Sequence, residues 1–198
     1  IMQRAITVDP PKPPTRALSG QYLEPAGGNV PQKRIRDISP KEGDPPQFTG
    51  PLHTQYPNLP DGDYNFRVRV HATAEGKAPV RIAVLAVGKD MEGADVPEAA
   101  ADIAGTTQFL TANKFKILKV LEVEAREEKK AQNLEVDFTM PKGMTRVAVG
   151  LLKVPEGEPI QKLHVEYFAL TGPKDTRPPT QRKLLTCSAD NPQAEQTR

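Results

Sequence analysis

A chain of 198 residues can hold one domain, but at 37% hydrophobic residues it carries less apolar material than the ~45–50% usual in globular proteins. Its 27 Lys and Arg stand against 25 Asp and Glu, and a net charge of +2 excludes the strongly basic footprint of a nucleic-acid binder. No apolar run approaches the roughly 18 residues a membrane-crossing helix needs, so neither nucleic acid nor membrane insertion is expected.

Residues 1–17 read as a linker. Pro10, Pro11, Pro13 and Pro14 oppose helix and central strand and favour extended polyproline backbone. Residues 18–24 read as a short first strand. Residues 25–60 are irregular, punctuated by Gly27-Gly28, Pro31, Pro40, Pro45-Pro46, Pro51, Pro57 and Pro60. A connection this long is either functional or laid as a crust over the domain.

From Asp61 the pattern becomes regular. Residues 63–73 alternate strictly: Tyr64, Phe66, Val68, Val70 and Ala72 are apolar, while Asn65, Arg67, Arg69 and His71 are polar. Successive side chains of a strand point to opposite faces, so one face is buried and the other is basic and solvated. Residues 79–88 are apolar almost throughout and read as a strand buried on both faces. Residues 90–105 fit a short helix or a loop. Residues 114–126, 133–140, 144–154 and 162–171 read as further strands, with Leu134, Val136, Phe138 and Met140 inward on one and Leu163, Val165, Tyr167 and Ala169 inward on the last. Gly172-Pro173 ends the series, and residues 174–198 are a polar linker. Strands separated by Gly/Pro turns, with no helical period for crossovers, predict an all-β antiparallel sandwich of jelly-roll type over 18–173.

Chemistry-bearing constellations are sparse. His53, His71 and His164 lack ligand spacing, and His71 and His164 read as exposed strand-face residues. Asp61 and Asp63 around Gly62, and Asp90, Glu92 and Asp95 in a loop, offer hard oxygens suited to calcium; turn chemistry is the plainer reading, and calcium stays open as an alternative. Cys187, the single cysteine, makes no internal disulfide and lies in the polar tail. No nucleophile elbow or phosphate loop occurs. Glu135 and Asp137 on one strand face, and Glu122 and Glu124 on another, read as solvated charge. The row Arg67, Arg69 and His71 is the candidate ligand face. Its guanidinium forks suit carboxylates or sulfates of a polyanion, and they equally suit cross-strand pairing with Glu135 and Asp137. Tyr22, Phe48 and Tyr56, in the irregular N-terminal part, are the aromatic rings freer to serve as sugar platforms.

Two resemblances bear on function. Asp61-Gly62-Asp63-Tyr64-Asn65-Phe66-Arg67-Val68-Arg69-Val70, with Leu134 to Met140, Arg146 to Val149 and Leu163 to Leu170, resembles the strands of carbohydrate-binding jelly rolls. The closing Asp of those modules is absent. Phe168-Ala169-Leu170-Thr171-Gly172-Pro173, Pro178-Pro179-Thr180-Gln181-Arg182-Lys183-Leu184-Leu185-Thr186-Cys187 and Glu195-Gln196-Thr197-Arg198 resemble a signature of large planctomycete proteins. Those proteins join c-type cytochrome domains to domains of unknown function. The resemblance implies a middle, carbohydrate-module-like domain in an extracytoplasmic parent protein, and a chain that begins with Ile1 reads as an excised piece. No haem-attachment motif is present, so no cofactor is expected in this stretch. The expected function is non-catalytic binding of a polysaccharide, an acidic one in particular, through Arg67, Arg69, His71, Tyr56 and Tyr22. The alternatives are a docking domain that contacts adjacent domains of the parent protein and a glycoside-active enzyme.

Overall fold

Alternation translates directly into strands. In the computed structural model, which describes residues 12–24, 35–38, 50–74, 79–94, 102–103, 112–154 and 161–176, the strictly alternating segment forms β4, Asp63–Ala74. Around it stand β1 (Thr15–Ser19), β2 (Arg36–Ile38), β3 (Leu52–Gln55), β5 (Val80–Gly88), β6 (Lys114–Val123), β7 (Gln132–Thr139), β8 (Arg146–Leu151) and β9 (Gln161–Thr171). All their pairings are antiparallel. Two single-turn 3-10 helices, Gly20–Tyr22 and Glu128–Lys130, lie between strands.

Sheet A has the order β1-β9-β4-β7, with β2 pairing farther along β9; sheet B has the order β3-β8-β5-β6. With β2 set aside, first pairs last (β1 with β9), second pairs seventh (β3 with β8), third pairs sixth (β4 with β7) and fourth pairs fifth (β5 with β6). These nested pairs alternate between the two sheets, which is the jelly-roll winding. Its outermost rung joins the two ends of the domain, where Gly172 N–H donates to Pro14 O at 3.0 Å.

The core fills the space between the sheets. Tyr64, Phe66, Val68, Val70 and Ala72 of β4 meet Val80, Ile82, Val84 and Ala86 of β5, together with Val147, Val149, Leu163, Val165 and Phe168. Phe66 and Phe168 pack edge to face at 5.1 Å, and Tyr64 satisfies its hydroxyl on Pro60 O at 2.7 Å. Leu134, Phe138 and Met140 pack against this core as their alternation predicts.

Three expectations need correction. Thr15 to Ala17 belong to β1 rather than to a linker, because the extended backbone that proline favours also suits an edge strand. The stretch 25–60 contains β2 and β3, each too short to show a period of its own. Tyr167 leaves the core. Arg69 pairs with Tyr167 and Val70 with Val165, so Glu166 is an extra residue, a β-bulge. Beyond it the phase inverts, and Phe168 and Leu170 turn inward in place of Tyr167 and Ala169.

Phe66→Ala is expected to cost about 3–5 kcal/mol, because it removes a fully buried ring from the core between the two sheets. Urea unfolding followed by circular dichroism measures this.

Candidate functional site

The two outer faces of the sandwich differ. On sheet B, the outward Ala83, Leu85, Val87, Phe115 and Ala148 are buried in a second apolar cluster with Ile103, which bridges to Leu152. Gly150 makes room for Ile103, since a Cβ there would stand 2.8 Å from Ile103 Cγ2. The same cover explains why β5 is apolar on both faces. At the rim of this face, Glu24 bridges to His53 through the backbone, and the Arg146 guanidinium donates to Glu24 Oε2 at 2.9 Å. Arg146 Nη1 also lies 3.1 Å from His53 Nδ1. Burial, then the Arg146 charge, push the His53 pKa down to about 4, against a smaller upward pull from Glu24.

Sheet A presents polar groups instead. Register aligns Thr15, Thr171, Asn65 and Asp137 in one row, Ala17, Ala169, Arg67 and Glu135 in the next, and Ser19, Tyr167, Arg69 and Asn133 in a third. Both arginines are paired. Arg67 Nε donates to Glu135 at 2.7 Å, and Arg69 Nε donates to Glu166, the bulge residue, at 2.8 Å. Asn65 donates to Glu135 and Asp137, and Lys174 holds Asp137 at 2.9 Å. Those hydrogen bonds from Lys174 and Asn65 keep the Asp137 carboxyl below the usual carboxylate range. Tyr167 Oη donates to Asn133 at 2.9 Å.

The bulge also shapes the surface. β1 ends opposite Tyr167 and β2 begins opposite Val165, so Glu166 faces the junction between the two edge strands. A depression of about 520 Å³ opens there. Ala17, Leu18, Ile35 and Tyr167 give it an apolar side, while Ser19, Glu128 and Glu166 give it polar groups. Glu128 arrives on the turn that follows the Ala72–Ala125 backbone bond beside β4.

Beyond the bulge, His71 of β4 and His164 of β9 lie directly opposite, with rings stacked at 4.5 Å and 14°. His164 Nδ1 is 2.7 Å from Asp37 Oδ1, and its Nε2 is 2.9 Å from Thr73 Oγ1. His71 is 7% exposed, and its Nδ1 is buried without a hydrogen-bond partner among the described residues.

The structure brings Arg67 and Arg69 onto one open face, but as carboxylate-paired groups rather than a free basic row. His71 shares that face and is buried under its neighbours, so it offers no surface contact. Tyr56 is 6% exposed on a ring inserted into the core, which withdraws it as a platform; burial pushes its pKa up to about 12. Tyr22 stands 60% exposed on the 3-10 turn that carries the chain from sheet A to sheet B. Sequence reasoning missed Glu166, Tyr167, Glu128 and Asp37. The adjacent aromatics Tyr167-Phe168 were the available signal, because two large rings in succession cannot both face one core. Among the described residues, no three His, Cys, Asp or Glu side chains converge as a metal site. Phe48, Asp95 of the acidic loop and Cys187 lie outside the described residues.

No known protein family and no curated protein matches the chain. Among solved structures, it is similar to the CBM36-1 domain of a multidomain xylanase from the hindgut metagenome of Trinervitermes trinervoides, at 8% identity and a TM-score of 0.39, over 80% of this chain and 98% of that one. It is similar to the CBM22-1–GH10 modules of a Clostridium thermocellum xylanase, at 9% identity and a TM-score of 0.38, over 73% of this chain and 26% of that one. It is also similar to the K3 adhesin domain of Lys-gingipain from Porphyromonas gingivalis, at 10% identity and a TM-score of 0.37, over 80% and 91%.

Two measurements check this geometry. A double-mutant cycle on Arg67 and Glu135 is expected to give a coupling below about 1 kcal/mol, because both groups are nearly half exposed. His53 binds fewer protons folded than unfolded. Stability is therefore full above about pH 6.5 and falls as pH drops toward about 4, by at most about 3 kcal/mol for this residue. His53→Gln is expected to flatten that part of the stability–pH curve.

Proposed function

We propose that the chain is a non-catalytic polysaccharide-binding domain that uses the outer face of sheet A around the Glu166 bulge. The observation that carries this reading is the contrast between the faces: sheet B is roofed by the Ile103 cluster, whereas sheet A leaves a depression with one aromatic side and fixed hydrogen-bonding groups. Sugars present alternating apolar CH faces and hydroxyl edges, and a shallow site with a ring beside planar acceptors and donors suits them. Tyr167 and the apolar wall of Ala17 and Ile35 would meet the CH face. Glu166, Glu128, Arg69 and Ser19 would meet hydroxyls, with Tyr22, three residues after Ser19, as an outlying ring.

The charge pairing changes the expected ligand. An acidic polysaccharide needs cations free to meet it, and here Arg67 and Arg69 are already neutralised by Glu135 and Glu166. Two carboxylates lining the depression would repel a polyanion. The ligand that fits is a neutral, hydroxyl-rich polysaccharide. Arg69 holds Glu166, Arg67 holds Glu135, and Asn65 and Lys174 hold Asp137, whose pKa is lowered. A general acid needs the opposite, a raised one, which supports binding over hydrolysis. An extracytoplasmic setting within a cytochrome-bearing parent protein accords with this role and rests on the resemblance of residues 168–198.

Affinity gels containing xylan, β-1,4-galactan, polygalacturonate or chondroitin sulfate test the reading. Retardation by a neutral polymer is expected, nearly independent of salt, and weakened by Tyr167→Ala and Arg69→Ala. Retardation only by the two acidic polymers, collapsing with salt, would restore the acidic ligand. Migration unaffected by every polymer would leave the docking role in its place.

A further inference from the structure

The stacked histidines are left over by the binding reading, and they adjoin it. His71 and His164 sit one bulge away from the depression, and β2, which carries Asp37, begins next to Ile35 of its wall. The charged and titratable groups around His71 are His164, Glu166 and Lys162 from β9, Asp37 from β2, Glu128 from the 3-10 turn and Arg69 from its own strand.

The two rings differ in what a proton does to them. His164 gains one without losing a bond: Nδ1–H donates to Asp37, and Nε2–H turns to donate to Thr73 Oγ1. His71 has no such outlet. A proton on its Nδ1 creates a buried N–H with no acceptor among the described residues and sets a cation against the His164 ring at 4.5 Å. The stacked arrangement therefore resists a proton on His71. Burial and the His164 charge lower the His71 pKa accordingly, while Glu166, Glu128 and Asp37 pull it upward. Two of those three carboxylates line the depression.

We propose that His71 is an acid-operated gate on the sugar site. On protonation its ring leaves the stack and pairs with Glu166 and Glu128, removing from the ligand the acceptors it would use. This rests on the polysaccharide reading and assigns its regulation: binding is full at neutral pH and is lost in acid as His71 takes its proton.

The test pairs a binding arm with an arm that needs no ligand. Affinity for soluble xylan or β-1,4-galactan, whichever is retarded in the gels, is measured by calorimetry at pH 7.5 and pH 5.0. The wild-type chain is expected to weaken about tenfold between them. His71→Phe keeps a stacked ring with nothing to protonate and is expected to bind equally at both. A flat wild-type profile, or an equal fall in His71→Phe, overturns the gate while leaving polysaccharide binding intact. In the second arm, ring-proton contacts between His71 and His164 are followed by NMR through the titration of the wild-type chain. Their disappearance with His71 protonation is expected; their persistence in protonated His71 overturns the gate whether or not any glycan binds.

Discussion

A strand that buries one face cannot slip by a single residue without turning its whole apolar set to solvent. β9 lies between β1 and β4 in the middle of sheet A and carries one residue too many. The sheet absorbs that residue at Glu166, and much of the surface follows from it. Leu163 and Val165 face inward before the bulge, Phe168 and Leu170 after it. Tyr167 is expelled from the core, Glu166 is delivered to Arg69, and the edge of β9 is divided between β1 and β2. The depression and the facing histidines lie on either side of that single insertion.

Charge on sheet A is arranged as local pairs rather than as a field. Arg67 with Glu135, Arg69 with Glu166 and Lys174 with Asp137 each cancel within a hydrogen-bond length. Exposed pairs of this kind contribute little to stability. Their effect is to fix where donors and acceptors point, so that the face offers an ordered hydrogen-bonding pattern without a strong potential. A surface built this way discriminates by geometry more than by charge.

The sequence was legible where one strand carried enough residues to state its own period. β4 and β7 follow their alternation closely, β5 its unbroken apolar run, and the apolar face of β4 is the core. Strands of three to five residues, β1, β2 and β3, were hidden among prolines because so few positions define no period. The site was less legible, since its content is cross-strand. Arg67 reads as basic within its own segment, and only register with β7 shows Glu135 opposite it. Arg69 took a carboxylate from β9, which the bulge alone supplies. Tyr56 sits in a stretch that looks like loop, yet its ring is core. The burial of β5 on both faces was readable, but not its cause, which is a residue as distant as Ile103.

The rung between Pro14 and Gly172 has a mechanical meaning. Thr15 pairs with Thr171, so the domain's two ends emerge side by side at the same corner. Tension applied to both would not shear the sandwich along its length. It would open β1 from β9 like a zipper, one rung at a time, starting at that corner and running toward Ser19 and Tyr167. The first element to yield under load would therefore be the wall of the depression, and grip on a polymer would slacken before the interior came apart.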